Sequence, residues 1–144
     1  MYQKIIVVGN LGGDPEMRYM PDGTAVTNFS IATNRKWTDT QGNPQEEVTW
    51  FRVSTWGRIA ENCNQYLTKG SKVLVEGRIK PDPATGGPRI WTRGSDGTVG
   101  ASFEIQADTV RFLGGRDDDG GNSGYAPVGG GGTAVATEED EIPF

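Results

Sequence analysis

The sequence contains no histidine. Imidazole is the side chain that titrates near neutral pH and the commonest metal ligand. Without it, Ser-His-Asp and Cys-His catalysis are excluded, as are the usual zinc sites. A site built of carboxylates alone stays chemically open, but no acidic cluster in the stretch that reads as folded asks for one. No catalytic residue, metal or cofactor is therefore expected, and the chain reads as a non-enzyme. A single cysteine, Cys63, cannot make an internal disulfide framework and reads as a small core residue. Long apolar runs are missing too. The longest, Ile5-Ile6-Val7-Val8, falls far short of the ~20 residues that span a bilayer. Met1-Tyr2-Gln3-Lys4 leads into it without the features of a signal peptide. A cytoplasmic protein with no membrane partner is expected.

Hydrophobic residues make up only 34% of the chain, while glycine supplies 22 of the 144 positions. This points to a modest core plus a stretch that does not pack. The net charge of −5 averages two unlike regions. Residues 1–116 hold all 14 bases against 12 acids, a balance of +2, whereas residues 117–144 hold seven acids and no base. The composition changes at Gly114-Gly115-Arg116. Beyond it lie Asp117-Asp118-Asp119, a glycine run at 129–132, and Glu138-Glu139-Asp140-Glu141. Such a segment cannot bury enough apolar surface to offset its ordering entropy. The expected division is a folded domain over residues 1–113 and a disordered, Gly-rich acidic tail over 114–144.

Within residues 1–113 the β-branched run at 4–8 reads as a first strand. Pro21-Asp22-Gly23 is a turn signal, followed by a second strand near 25–33. Gln41-Gly42-Asn43-Pro44 marks a loop before a third strand at 48–56. A fourth is expected near 71–80 and a fifth near 101–107, with an extension toward 112. One helix is expected at about 58–69, with Ile59, Cys63, Tyr66 and Leu67 on one face and Gly70 as its left-handed cap. Five strands with a helix between the third and fourth is the order of an all-β OB-fold barrel. Gly9-Asn10-Leu11-Gly12-Gly13 superficially resembles a phosphate loop. It lacks the Gly-Lys-Ser/Thr ending and a following helix, so a turn with positive φ is the better reading.

The third strand carries the chemistry. Strand side chains alternate between faces. Phe51, Val53 and Thr55 form a core row, which leaves Trp50, Arg52, Ser54 and Trp56 on the solvated side. Two exposed indoles serve no packing purpose there, but they stack on bases of any identity. Arg52 beside them can meet phosphate or stack. On the fourth strand, Val73, Val75 and Ile79 face one way, with Arg78 and Lys80 the other way. Trp37 follows Arg35-Lys36 at the start of a loop, and Trp91 lies in a Gly/Pro-rich loop between Arg89 and Arg93. Basic residues interleaved with aromatics are what a single-strand groove needs. Arg58 and Lys69, on the helix, join the candidate set; Lys4, Arg18 and Arg111 stay unassigned. The chain ends in Glu139-Asp140-Glu141-Ile142-Pro143-Phe144, an acidic run closed by an aromatic. This has the form of a docking peptide, with Phe144 for an apolar pocket and its α-carboxylate for a basic residue.

Several segments together resemble bacterial-type single-stranded DNA-binding proteins. They are Val8-Gly9-Asn10-Leu11-Gly12, Asp14-Pro15-Glu16-Met17-Arg18-Tyr19, Trp50-Phe51-Arg52-Val53, Trp56-Gly57-Arg58-Ile59-Ala60-Glu61, Tyr66-Leu67-Thr68-Lys69-Gly70-Ser71 and the ending Asp140-Glu141-Ile142-Pro143-Phe144. The resemblance implies an OB-fold that assembles as a homotetramer and wraps single-stranded DNA. It implies base stacking by the aromatics at 37, 50, 56 and 91, and recruitment of replication, recombination and repair proteins by the terminal peptide. Trp56 stands where many members have Phe, and residues 81–88 look like an insertion before Trp91. An RNA-binding OB protein and an OB-fold nuclease are the alternatives; the second would require the carboxylate-metal site that the sequence lacks.

Overall fold

A computed structural model describes residues 1–113; the acidic tail and its terminal peptide lie outside the described residues. In chain order the elements are β1 (Ile5–Leu11), β2 (Glu16–Tyr19), β3 (Ala25–Thr38), β4 (Pro44–Trp56), α1 (Gly57–Tyr66), β5 (Lys72–Ile79), β6 (Arg89–Thr92) and β7 (Val99–Phe112). β1 pairs antiparallel with β5, β5 antiparallel with β7, β7 parallel with β4, and β4 antiparallel with β3. β3 then returns to β1 through Asn10↔Ala32 and Leu11↔Ile31, which closes the ring. The result is a five-stranded barrel with its helix between the third and fourth barrel strands, as the sequence predicts. β2 and β6 stand outside the ring as short arms, paired only to β3 and β7.

Closure explains part of the glycine usage. Gly9 sits buried inside β1, where a side chain would run into the backbone carbonyl of Ala32 across the closing seam. Gly77 is the same case at a bulge in the β5–β7 ladder, where its Cβ would lie 2.9 Å from Ala107 Cα. Neither Gly9, Gly12 nor Gly13 has a positive φ, so the expected left-handed turn is absent; Gly9 instead allows a close backbone approach and Gly12 meets the Trp50 ring.

The barrel interior is filled by the inward rows that strand alternation predicts: Val7 and Leu11, Phe29 and Ile31, Val53, Val73 and Val75, Ile105 and Ala107. Cys63 and Leu67 add the buried contribution of the helical segment. Two threonines are fully buried there, and both are satisfied. Thr27 Oγ1 donates to the Ala60 carbonyl (2.6 Å), which fastens the helix onto β3, and Thr55 Oγ1 donates to the Thr27 carbonyl (3.0 Å), which ties β4 to β3.

The helix departs from expectation at both ends. It starts at Gly57, whose φ of 64° turns the chain out of β4, and it ends at Tyr66 with Leu67 already extended. Gly70 does have a left-handed φ of 88°, but it serves a later turn whose N–H donates to the Leu11 carbonyl (2.8 Å). Ala60, Cys63 and Leu67 make the buried stripe. Tyr66 is 63% exposed instead, with its ring centroid 6.2 Å from that of Phe112. Ile79, expected inward, is also exposed as the last residue of β5. The β3–β4 hairpin runs further than expected. Asp39 holds its turn, its Oδ1 accepting N–H bonds from Gln41 (2.9 Å) and Asn43 (2.8 Å). The Asn43 bond in particular holds the Asp39 carboxyl below the usual carboxylate range.

Candidate nucleic-acid interface

β4 presents its two rows as its alternation dictates. Val53 and Thr55 are fully buried and Phe51 half-buried, whereas Trp50 and Arg52 are exposed and Ser54 and Trp56 half-buried. Ser54 Oγ donates to Asn28 Oδ1 (2.7 Å) across the β3–β4 ladder. Trp50, Arg52 and Ser54 of the outward row form one wall of an open groove of about 860 Å³. Into that groove β4 brings Trp50 and Arg52, the chain just past β5 brings Lys80, and β6 brings Arg89 and Trp91.

Both indoles are seated on glycine. Trp50 covers Gly12, where an added Cβ would come within 2.7 Å of the ring's Cη2. Trp91 faces Gly100 across the β6–β7 ladder, where a Cβ would lie 2.6 Å from Cη2. A ring braced by backbone on one side keeps open surface on the other: Trp50 is 53% exposed and Trp91 38%. Trp91 belongs to a strand, not the loop that the Gly/Pro-rich composition suggested.

Trp37 is likewise a strand residue, near the tip of the β3–β4 hairpin. Strand phase sets it in the row of Arg35, Thr33 and Ile31, opposite to that of Trp50, on a hairpin that extends past the barrel. The Arg35 guanidinium lies 4.9 Å from the Trp37 ring centroid and pairs with Glu47 at 3.3 Å. Lys36 is exposed beside them. Trp56 and Arg58 lie at the other end of β4 and the start of α1, and neither lines the groove. Arg78 lies on β5, also outside it. Lys69 lines a separate cavity of about 650 Å³ with Lys72, Tyr66 and Phe112. The groove therefore gathers five of the twelve candidate residues: Trp50, Arg52, Lys80, Arg89 and Trp91.

Several groove residues are not among the sequence candidates, and two of them matter most. Arg18 comes from β2, a four-residue arm too short to read as a strand; its only signal is the half-buried Met17 alternating with exposed Arg18. Glu104 comes from β7 and pairs with Arg89 at 3.9 Å. Four bases (Arg18, Arg52, Lys80 and Arg89) thus share the groove with Asp14, Glu16 and Glu104. Asp14 is engaged, its Oδ1 accepting the Lys69 N–H at 2.8 Å. Elsewhere, burial pushes the Cys63 thiol up to about 11, which suits a core residue and not a nucleophile. Among the described residues there is no group of three or more Cys, Asp or Glu placed to hold a metal, and no helix long and apolar enough to cross a membrane.

Comparison with known proteins identifies the fold and the family. Two proteins named single-stranded DNA-binding protein, from Neisseria meningitidis serogroup A (strain Z2491) and serogroup B (strain MC58), are each 42% identical over 124 residues. The match covers 86% of this chain and 65% of each relative, so the chain spans about two thirds of their length. A solved Plasmodium falciparum SSB in complex with ssDNA has the same fold, with a TM-score of 0.62 at 24% identity, over 79% of this chain and 96% of that one. The single-strand binding protein family model matches residues 2–113, the whole described fold but its first residue, and the chain belongs to that family.

Proposed function

We propose that the groove binds single-stranded DNA without strong sequence preference, and that the chain protects exposed strands during replication, recombination and repair. The observation that carries this reading is the pair of glycine-braced indoles, Trp50 and Trp91, opening into one groove with four cations. An indole stacks on any base, and Arg and Lys meet the phosphates between stacked bases. Trp37, with Arg35 and Lys36, and Trp56, with Arg58, meet the strand where it leaves the groove. Lys69 and Arg78 steer it around the barrel. No bond-breaking step is assigned to any residue, and the role belongs in the cytoplasm, where DNA becomes single-stranded.

The second part of the proposal concerns assembly and recruitment. Ile6 and Val8 stand exposed on the outward row of β1, an apolar strip that suits self-association, and a homotetramer would let one strand wrap several grooves. Residues 114–144 tether the peptide Glu139-Asp140-Glu141-Ile142-Pro143-Phe144, which recruits partner enzymes.

Binding of labelled oligo(dT) tests the DNA reading. Saturable binding that weakens as salt rises is expected, because phosphate contacts release counterions. No binding at low salt contradicts it, and matched RNA that competes as well as DNA would favour an RNA-binding role.

A further inference from the structure

A groove for an anionic strand should have no use for carboxylates, yet three line this one; Asp14 and Glu16 are exposed, whereas Glu104 stands in the wall with a side chain only 12% exposed. Its placement is specific. Along β7 the groove-facing row runs Gly100, Ser102, Glu104: Gly100 lies under Trp91, Ser102 is opposite Arg89 in the β6–β7 register, and Glu104 is opposite Arg52 in the β4–β7 register. The Glu104 carbonyl also accepts the Lys80 N–H at 2.8 Å. One acidic residue thus sits among cations from β4, from β6 and from the residue that follows β5.

Of these, the side chain engages Arg89. Oε1 accepts from Ser102 Oγ at 3.4 Å and lies 3.9 Å from Arg89 Nη1. Ser102 anchors the carboxylate while Arg89, 59% exposed, stays free to swing away. A long, single-point pair with one exposed partner is weak, so a phosphate can displace it.

We propose that Glu104 is a positioning residue that competes with DNA phosphate for Arg89, and so limits how tightly the groove holds a strand. The inference rests on the groove being the single-strand site. A protein that coats strands must also release them, and an internal counter-ion weakens the grip without removing a contact.

The test uses the full chain and oligo(dT). Glu104→Gln keeps the side chain's shape and removes its charge. It should tighten binding about two- to fivefold at low salt. It should also steepen the dependence of log K on log[salt] by up to about 0.7. Both effects should vanish in the Arg89→Gln background, where nothing is left to compete for. Glu104→Asp, which keeps the charge but withdraws it from Arg89, should give a smaller gain of the same sign. Unchanged or weaker binding by Glu104→Gln overturns the proposal, and so does an equal gain with and without Arg89, which would mean general repulsion of the strand. If Arg89→Gln and Trp50→Ala both leave affinity untouched, the groove is not the binding site and both readings fall together.

Discussion

Trp50 and Gly12 act as a unit, because the indole rests on backbone that only glycine leaves bare. Bracing fixes the ring before a base arrives, which lowers the ordering cost of stacking. Trp50→Ala should therefore weaken oligo(dT) binding by about 1–3 kcal/mol, read by titration, with little change in thermal stability because the side chain is not core. Cys63 makes the opposite case. Its thiol is fully buried and its pKa rises from the ordinary 9.0 to about 11, so the folded state favours the neutral form. Its contribution to stability is complete below about 9 and is lost as pH rises from there through about 11. Alkylation should accordingly be slow in the native protein near neutral pH and fast in denaturant; equal rates in both would contradict its burial. At this scale the sequence was legible where strand phase applied, at Trp50, Arg52, Val53 and Thr55. It was silent on Glu104, since a carboxylate two positions from a serine in a strand looks like any solvated acid.

β3, β4, β5 and β7 were readable because alternation over eight or more residues separates inward from outward rows. β2 and β6 were not, because four residues paired on one side are too short to carry such a pattern, and both arms turned out to bring groove residues. The positions of Trp37 and Trp91 in strands were hidden for a related reason: hairpin pairing past the barrel is set by a partner strand, not by local hydrophobicity. The bulge between β5 and β7 was invisible as well, although Gly77 marks it. A side chain there meets the Gln106 carbonyl and Ala107 Cα, which belong to backbone that cannot move aside. Gly77→Ala should cost about 1–3 kcal/mol in denaturant unfolding, as overpacking does; a neutral result would show that the seam is loose.

Across the whole molecule, charge separates two roles. The mildly basic barrel suits a polyanion, and the acidic terminal segment cannot contribute to holding one. Deleting residues 139–144 should abolish capture of partner enzymes while leaving oligo(dT) affinity intact or raised, the rise reflecting lost repulsion between tail and strand. Captured partners with the truncated chain would refute the docking role. The barrel architecture was legible from element order alone, but the pooling of Trp50 and Trp91, 41 positions apart, required the parallel β4–β7 pairing. The most direct test of the central claim is intrinsic tryptophan fluorescence during titration with poly(dT) at low salt. Stacking in the groove predicts strong, saturable quenching that reverses on adding salt and is much reduced in Trp50→Ala. Fluorescence that stays unchanged at saturating poly(dT) would contradict the account.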